Sequence, residues 1–147
     1  MNSLNKTFLP SSNYEARNWF IIDCQGQSLG RLATTVVNLL KGKIKPHYYP
    51  SVDIGDYVIL INANSIIINK TSNHYIVKSP GRPGRSLKIR NVTDILPELV
   101  IERTVKGMLS TSQRKQLMRR LKVYNDNNHP HLTQSPIKLD PNTSFLS

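Results

Sequence analysis

One cysteine, Cys24, occurs in the 147 residues, so no disulfide can form within the chain, as suits a reducing compartment. No apolar run approaches the ~18 residues needed to cross a bilayer, and the N-terminus lacks the basic segment and apolar block of an export signal. A soluble protein that is not secreted is expected. The single tryptophan, Trp19, lies in a strand-like run. A membrane-surface protein would instead carry Trp, Phe and Leu along one face of a long amphipathic helix, so no membrane partner is expected. Acidic residues are scarce as well: 9 Asp+Glu face 20 Lys+Arg, for a net charge of +11 and a pI near 10.0. That pI exceeds the rough value of ~9 that marks nucleic-acid binders.

The scarcity of acid is concentrated in two places. None occurs between Asp56 and Asp94, and none from Arg103 to Tyr124 (RTVKGMLSTSQRKQLMRRLKVY), a stretch holding Arg103, Lys106, Arg114, Lys115, Arg119, Arg120 and Lys122. Apolar residues recur through that stretch at helical spacing. It can therefore pack on a core and still hold a dense positive surface, as a polyanionic partner requires.

Alanine is also rare, at 3 residues against 14 Ile and 14 Asn. AT-rich coding produces such a bias; folding physics does not demand it. No internal repeat is visible, and the length suits one domain that buries roughly 70% of its unfolded surface. Residues 1–13 are polar and residues 136–147 are rich in Pro, Thr and Ser. Both read as flexible ends with little to bury, leaving 14–135 as the domain.

The middle alternates strand and helix. Trp19 to Asp23 (WFIID) is a short apolar run. Leu29, Leu32, Val36, Leu39 and Leu40 then fall on one face of a helix that Ser28 is placed to cap and Gly42 to end. Asp56 to Asn62 (DYVILIN) reads as a strand covered on both faces, and Ser65 to Asn69 (SIIIN) as a third. Strand, helix, strand at this spacing implies a right-handed crossover and a parallel sheet. Pro97 suits the first turn of a helix with Ile101, Val105, Met108 and Leu109 as its buried stripe. Ser112 is placed to cap a last helix. There Leu117, Met118 and Leu121 face inward, Lys115, Arg119 and Lys122 outward, and Arg114 and Arg120 flank the seam.

The turn Gly26-Gln27-Ser28-Leu29-Gly30-Arg31 joins a strand to a helix N-terminus, where free N–H groups favour phosphate. It is no P-loop: three residues separate the glycines and Arg31-Leu32 follow, and GxGxxG is absent too. Gly26 and Gly30 read as an ordinary helix start, with Arg31 a candidate phosphate contact. Lys41, Lys43 and Lys45 leave the helix end on alternating positions, either as a solvated complement to the helix dipole or as RNA contacts. Asp53 and Asp56 bracket Ile54-Gly55, an Asp-x-Gly pattern that favours turn formation over acid–base catalysis. His129-Pro130-His131 lacks the further ligands of a metal site. Arg82, Arg85, Lys88 and Arg90 in SPGRPGRSLKIR sit in a loop imposed by Gly81, Pro83 and Gly84, and are candidate phosphate contacts.

Several strings in order carry a further signal: WFIIDCQGQSLGRLAT from Trp19, KGK from Lys41, YPSVDIGDYVILINA from Tyr49, VKGML from Val105, LKVY from Leu121 and HPH from His129. Together they resemble the bacterial and organellar large-subunit ribosomal protein thirteen family, collinearly from about Lys6 to Leu139. The resemblance implies an α/β fold: a single three-layer α/β/α domain around a four-stranded, mostly parallel sheet, with extended basic loops and a C-terminal tail. It also implies a non-enzymatic role without cofactor or small-molecule substrate, binding large-subunit rRNA beside neighbouring ribosomal proteins and supporting early assembly.

Carried over by position, the resemblance places RNA-facing candidates at Arg31, Lys41, Lys43, Lys106, Lys122, Tyr124, His129 and His131. The residues' own chemistry adds Lys45, Arg82, Arg85, Lys88, Arg90, Arg114, Lys115, Arg119 and Arg120. The chain departs from the family pattern at Lys78 to Arg85, where cations replace a histidine and neutral residues, and at Ser110 to Gln116. A free-standing nucleic-acid-binding or RNA-modifying protein on the same scaffold is the alternative, but neither a cofactor loop nor a nucleophile with an adjacent base is visible. Glu15 lies close to the start of the domain, so an acid-free import presequence is not expected. With the AT-rich bias, this favours an organelle-encoded protein of a plastid (chloroplast) ribosome over one of a bacterial cytoplasm.

Overall fold

The structure, a computed structural model, describes residue 9 and residues 17–68, 73–77, 81 and 87–140. The expected flexible segment 1–13 lies outside the described residues apart from Leu9, as do 141–147 of the expected tail.

Four strands form one sheet: β1 (Trp19–Asp23), β2 (Tyr57–Ile61), β5 (Leu121–Val123) and β6 (Ile137–Leu139). Their order is β5-β2-β1-β6, and every pairing is parallel. Three helices accompany them: α1 (Leu29–Lys41), α2 (Pro97–Met108) and the short α3 (Arg114–Met118). Between β2 and α2, strands β3 (Asn73–Val77) and β4 (Leu87–Asn91) form a separate antiparallel pair.

The two faces of the sheet are covered unequally. Ile22, Val58, Leu60 and Leu121, alternate positions along their strands, share one buried cluster with Leu32, Val36 and Leu40 of α1, Ile101 and Val105 of α2, and Leu117 of α3. The chain steps from β1 to β2 to β5 in one direction, then returns past β1 to β6. Right-handed crossovers put α1 and α2 on one face and the returning segment 124–136 on the other. That segment, with one 3₁₀ turn at Leu132–Gln134, lies over the face on which Ile59 is fully buried.

Two glycines permit the close approach of α1 to the start of β2. Gly42 ends α1 in the left-handed region at φ 73, its N–H turned back to Asn38 and Leu39 carbonyls. Gly55 passes so close beneath the helix that a Cβ there would stand 1.7 Å from the Leu40 carbonyl oxygen. Ser28 does stand at the N-cap of α1, but its side chain makes no capping hydrogen bond.

Several sequence expectations are corrected. Ser65 to Asn69 is no third sheet strand: Asn62 turns the chain at φ 57, a 3₁₀ turn follows at Ala63–Ser65, and Ile67 makes a single parallel bridge to Ser28. Asn69 itself lies outside the described residues. The last helix stops at Met118, so Leu121 and Lys122 belong to β5, because the Arg120 carbonyl already pairs with the Val58 N–H. Ile101, Val105 and Leu109 are buried as expected, but Met108 is 43% exposed and Val100 is buried instead. Lys88 and Arg90, expected in a loop, lie on β4 opposite Ile76 and His74. Finally, β6 falls within 136–147, so the ordered sheet extends past the expected domain boundary at 135.

Candidate nucleic-acid interface

Helical spacing builds a dense positive surface. On α2, Leu99, Glu102, Arg103 and Lys106 recur at i, i+3, i+4 and i+7 and so share one face. Thr111, Arg114, Lys115 and Met118 repeat the same spacing through α3, and the two faces enclose an open groove of about 520 Å³. Arg103, Lys106 and Lys115 are exposed, as is Arg119 just beyond α3. Arg114 is half-buried, its Nη2 donating to the Leu109 carbonyl at 3.1 Å. Glu102 is the one acid lining the groove.

A second group lies across the sheet. Lys122 is exposed on β5, in register with Ile59. Near it, Tyr124 Oη and His131 Nε2 are 2.9 Å apart, and the His131 ring packs 5.2 Å from Trp19, which stacks on Tyr57 at 4.3 Å. Partial burial, then the charges of Lys122 and His129, lower the His131 pKa from its ordinary value. His129 Nδ1 and Asn125 Oδ1 are sheltered in the same segment without a hydrogen-bond partner among the described residues. Nothing here gathers metal ligands: among the described residues no three of His, Cys, Asp and Glu come together.

The remaining candidates divide. Arg31 and Lys43 are exposed near the start and just past the end of α1, and Lys41 is half-exposed in its last turn. Arg82 and Arg85 lie outside the described residues. Two candidates are withdrawn from any interface. Arg120 is 3% exposed. Its guanidinium bonds both Asp53 carboxylate oxygens and approaches the Gly55 carbonyl at 3.3 Å. Lys45 is largely buried, with Nζ 2.8 Å from Asp56 Oδ1.

These counterion roles of Asp53 and Asp56 are not legible in the sequence, since both partners lie outside any local motif. Burial works against the charge of Asp53, but the hydrogen bonds and charge of Arg120, with Arg17 beside them, hold its carboxyl below the ordinary range. Gln116 Nε2 adds a bond to Asp53 Oδ2 at 2.7 Å. Both carboxylates therefore serve as fixed counterions. The Cys24 thiol is no nucleophile either: burial, with Asp23 nearby, pushes its pKa up to about 12.

The cations thus sort into two sets, one neutralised inside the fold and one left facing outward around α2, α3 and β5. No helix among the described residues is long and apolar enough to cross a membrane. The sequence model of the family described as Ribosomal protein L13 matches residues 17–130. Among curated proteins, large ribosomal subunit protein uL13c of Trieres chinensis is 47% identical over 138 residues, covering 93% of this chain and 98% of the relative. Large ribosomal subunit protein uL13 of Synechococcus sp. (strain RCC307) is 41% identical over 150 residues, with 97% and 99% covered. The uL13 of Synechococcus elongatus is 43% identical over 139 residues, with 90% and 91% covered.

Proposed function

The chain belongs to the ribosomal protein L13 family, and from that premise we propose that it is a structural constituent of the large ribosomal subunit that grips 23S-type rRNA through phosphate contacts. It is not an enzyme. The observation that carries the RNA contact is the sorting of cations: Arg120 and Lys45 are matched by carboxylates inside the fold, Asp56 buried and Asp53 half-buried, whereas Arg103, Lys106, Lys115, Arg119 and Lys122 stay exposed. Unmatched cations on rigid elements neutralise phosphates and release counterions, which supplies affinity without base readout. Folded rRNA is then recognised by shape, and binding it early helps the subunit to assemble beside neighbouring ribosomal proteins.

The place is a plastid ribosome, supported by the 47% identity to uL13c, whose suffix marks a chloroplast protein, and by the cyanobacterial relatives. An organellar gene accords with the Ile- and Asn-rich composition. Sedimentation of a plastid lysate tests the whole reading. The chain is expected to comigrate with the large subunit and to stay with it at moderate salt; a free pool alone rejects the proposal. Mapping the gene to a nuclear or bacterial chromosome rejects the organelle-encoded part.

A further inference from the structure

We propose that the groove between α2 and α3 receives an unpaired base of the rRNA, with the flanking phosphates on its rim. This deepens the rRNA-binding reading and rests on it. The groove is not a plain electrostatic surface. Arg103, Lys106, Arg114 and Lys115 line it together with the apolar side chains of Leu99 and Met118, and Leu99 is 38% exposed. A phosphate track needs cations alone; apolar side chains lining the same groove as cations match a nucleotide, which has an apolar π-face joined to anionic phosphates.

The groove's volume of about 520 Å³ lies within the ~300–1,000 Å³ typical of small-ligand sites. Arg114 adds an independent sign. Its Nη2 is tied to the Leu109 carbonyl at 3.1 Å, which fixes the guanidinium plane, while its Nε is shielded from solvent and donates to nothing among the described residues. A sheltered donor without an acceptor is costly. A base offers either a ring to stack on the guanidinium face or an edge acceptor in the plane of its N–H groups.

An acidic peptide helix is the competing occupant. It would need a continuous apolar floor for anchors at i, i+3, i+4 and i+7. Leu99 and Met118 are only two side chains, and four cations to one carboxylate favour the stronger polyanion.

The test uses the full chain and a transcript of the large-subunit rRNA from the same genome. Ultraviolet crosslinking followed by mass spectrometry is expected to place a base from a loop or bulge on residues 111–118. Arg114→Lys keeps the charge but loses the planar fork. It is expected to weaken binding roughly tenfold with an unchanged salt slope, within the range for losing one stacked base. Leu99→Ser, on the exposed rim where folding is little at risk, is expected to weaken binding about fivefold, also without a slope change. Wild-type affinity in both variants overturns the inference, as do crosslinks confined to duplex nucleotides or a peptide of another protein found in the groove of the intact subunit. In those cases the wild type still binds rRNA, so the functional reading survives. If the wild type does not bind the transcript, both readings fall.

Discussion

Arg120 and Asp53, 67 residues apart in sequence, meet as a two-pronged ion pair, with the two guanidinium Nη atoms of one on the two carboxylate oxygens of the other. The pair joins the chain just after α3 to the loop that leads into β2. Arg17 and Gln116 converge on the same carboxylate.

Removing Arg120 leaves a carboxylate that is 22% exposed and still holds Arg17 and Gln116, so the loss is smaller than for a fully buried pair. Arg120→Gln is therefore expected to cost about 1–2 kcal/mol, while Asp53→Asn combined with Arg120→Met costs less than the sum of the single changes. Urea unfolding measures both. Because Arg120 faces inward, the salt slope of rRNA binding should not move in refolded Arg120→Gln. A reduced slope would return Arg120 to the interface.

The same carboxylate makes stability depend on acid. Asp53 titrates in the fold below its ordinary value of 3.8. Its stabilising contribution is thus complete above that value and is lost as pH falls through the lower folded value. Asp53→Asn should flatten this part of the acid-unfolding curve. An unchanged curve would assign acid sensitivity to other groups.

His131 offers a separate titration with a built-in reporter. Its pKa is lowered from 6.5, so the neutral ring favours the fold, and stability is full above 6.5 and declines as pH drops through the folded value. Trp19, the single tryptophan, packs against the ring. Its fluorescence should change with an apparent pKa below 6.5, and the step should vanish in His131→Gln. A step that persists in the variant would locate the titration elsewhere.

Three glycines should differ sharply when changed to alanine. Gly55→Ala drives a methyl into the Leu40 carbonyl oxygen at 1.7 Å. It should cost at least the ~1–3 kcal/mol of an overpacked core and prevent α1 from docking. Gly42→Ala combines φ +73 with a 3.0 Å approach to Ile54 and ranks second. Gly26→Ala has φ +68 but open space, so only the left-handed cost of roughly 1–2 kcal/mol remains. Thermal melts giving any other order would contradict the described approach of α1 to β2.

Replacing Arg103, Lys106 and Lys115 together by Gln should leave folding intact, since all three are exposed. The affinity for rRNA should fall and the salt slope become shallower by roughly 0.7–0.9 for each phosphate no longer neutralised. Filter binding at several salt concentrations decides. Weaker binding at an unchanged slope would show that these three cations do not neutralise phosphates.

Whatever repeats locally or sums over the chain could be read from residue order. The Leu32-Val36-Leu39-Leu40 stripe of α1 and the apolar run of β2 are legible because periodicity is a property of neighbours, and the basic excess because charge adds without regard to fold. Folding alone separated Arg119, exposed, from Arg120, buried. The two are adjacent and chemically identical, and they differ by where a carboxylate 67 residues from Arg120 comes to rest. Strand β6 was likewise invisible. Ile137-Lys138-Leu139 is three residues in a Pro- and Ser-rich stretch, and it is a strand because β1 offers an open edge there. Pairing between distant segments leaves no period in either of them, so the sheet edge, the buried counterions and the groove between α2 and α3 exist only once the chain has closed on itself.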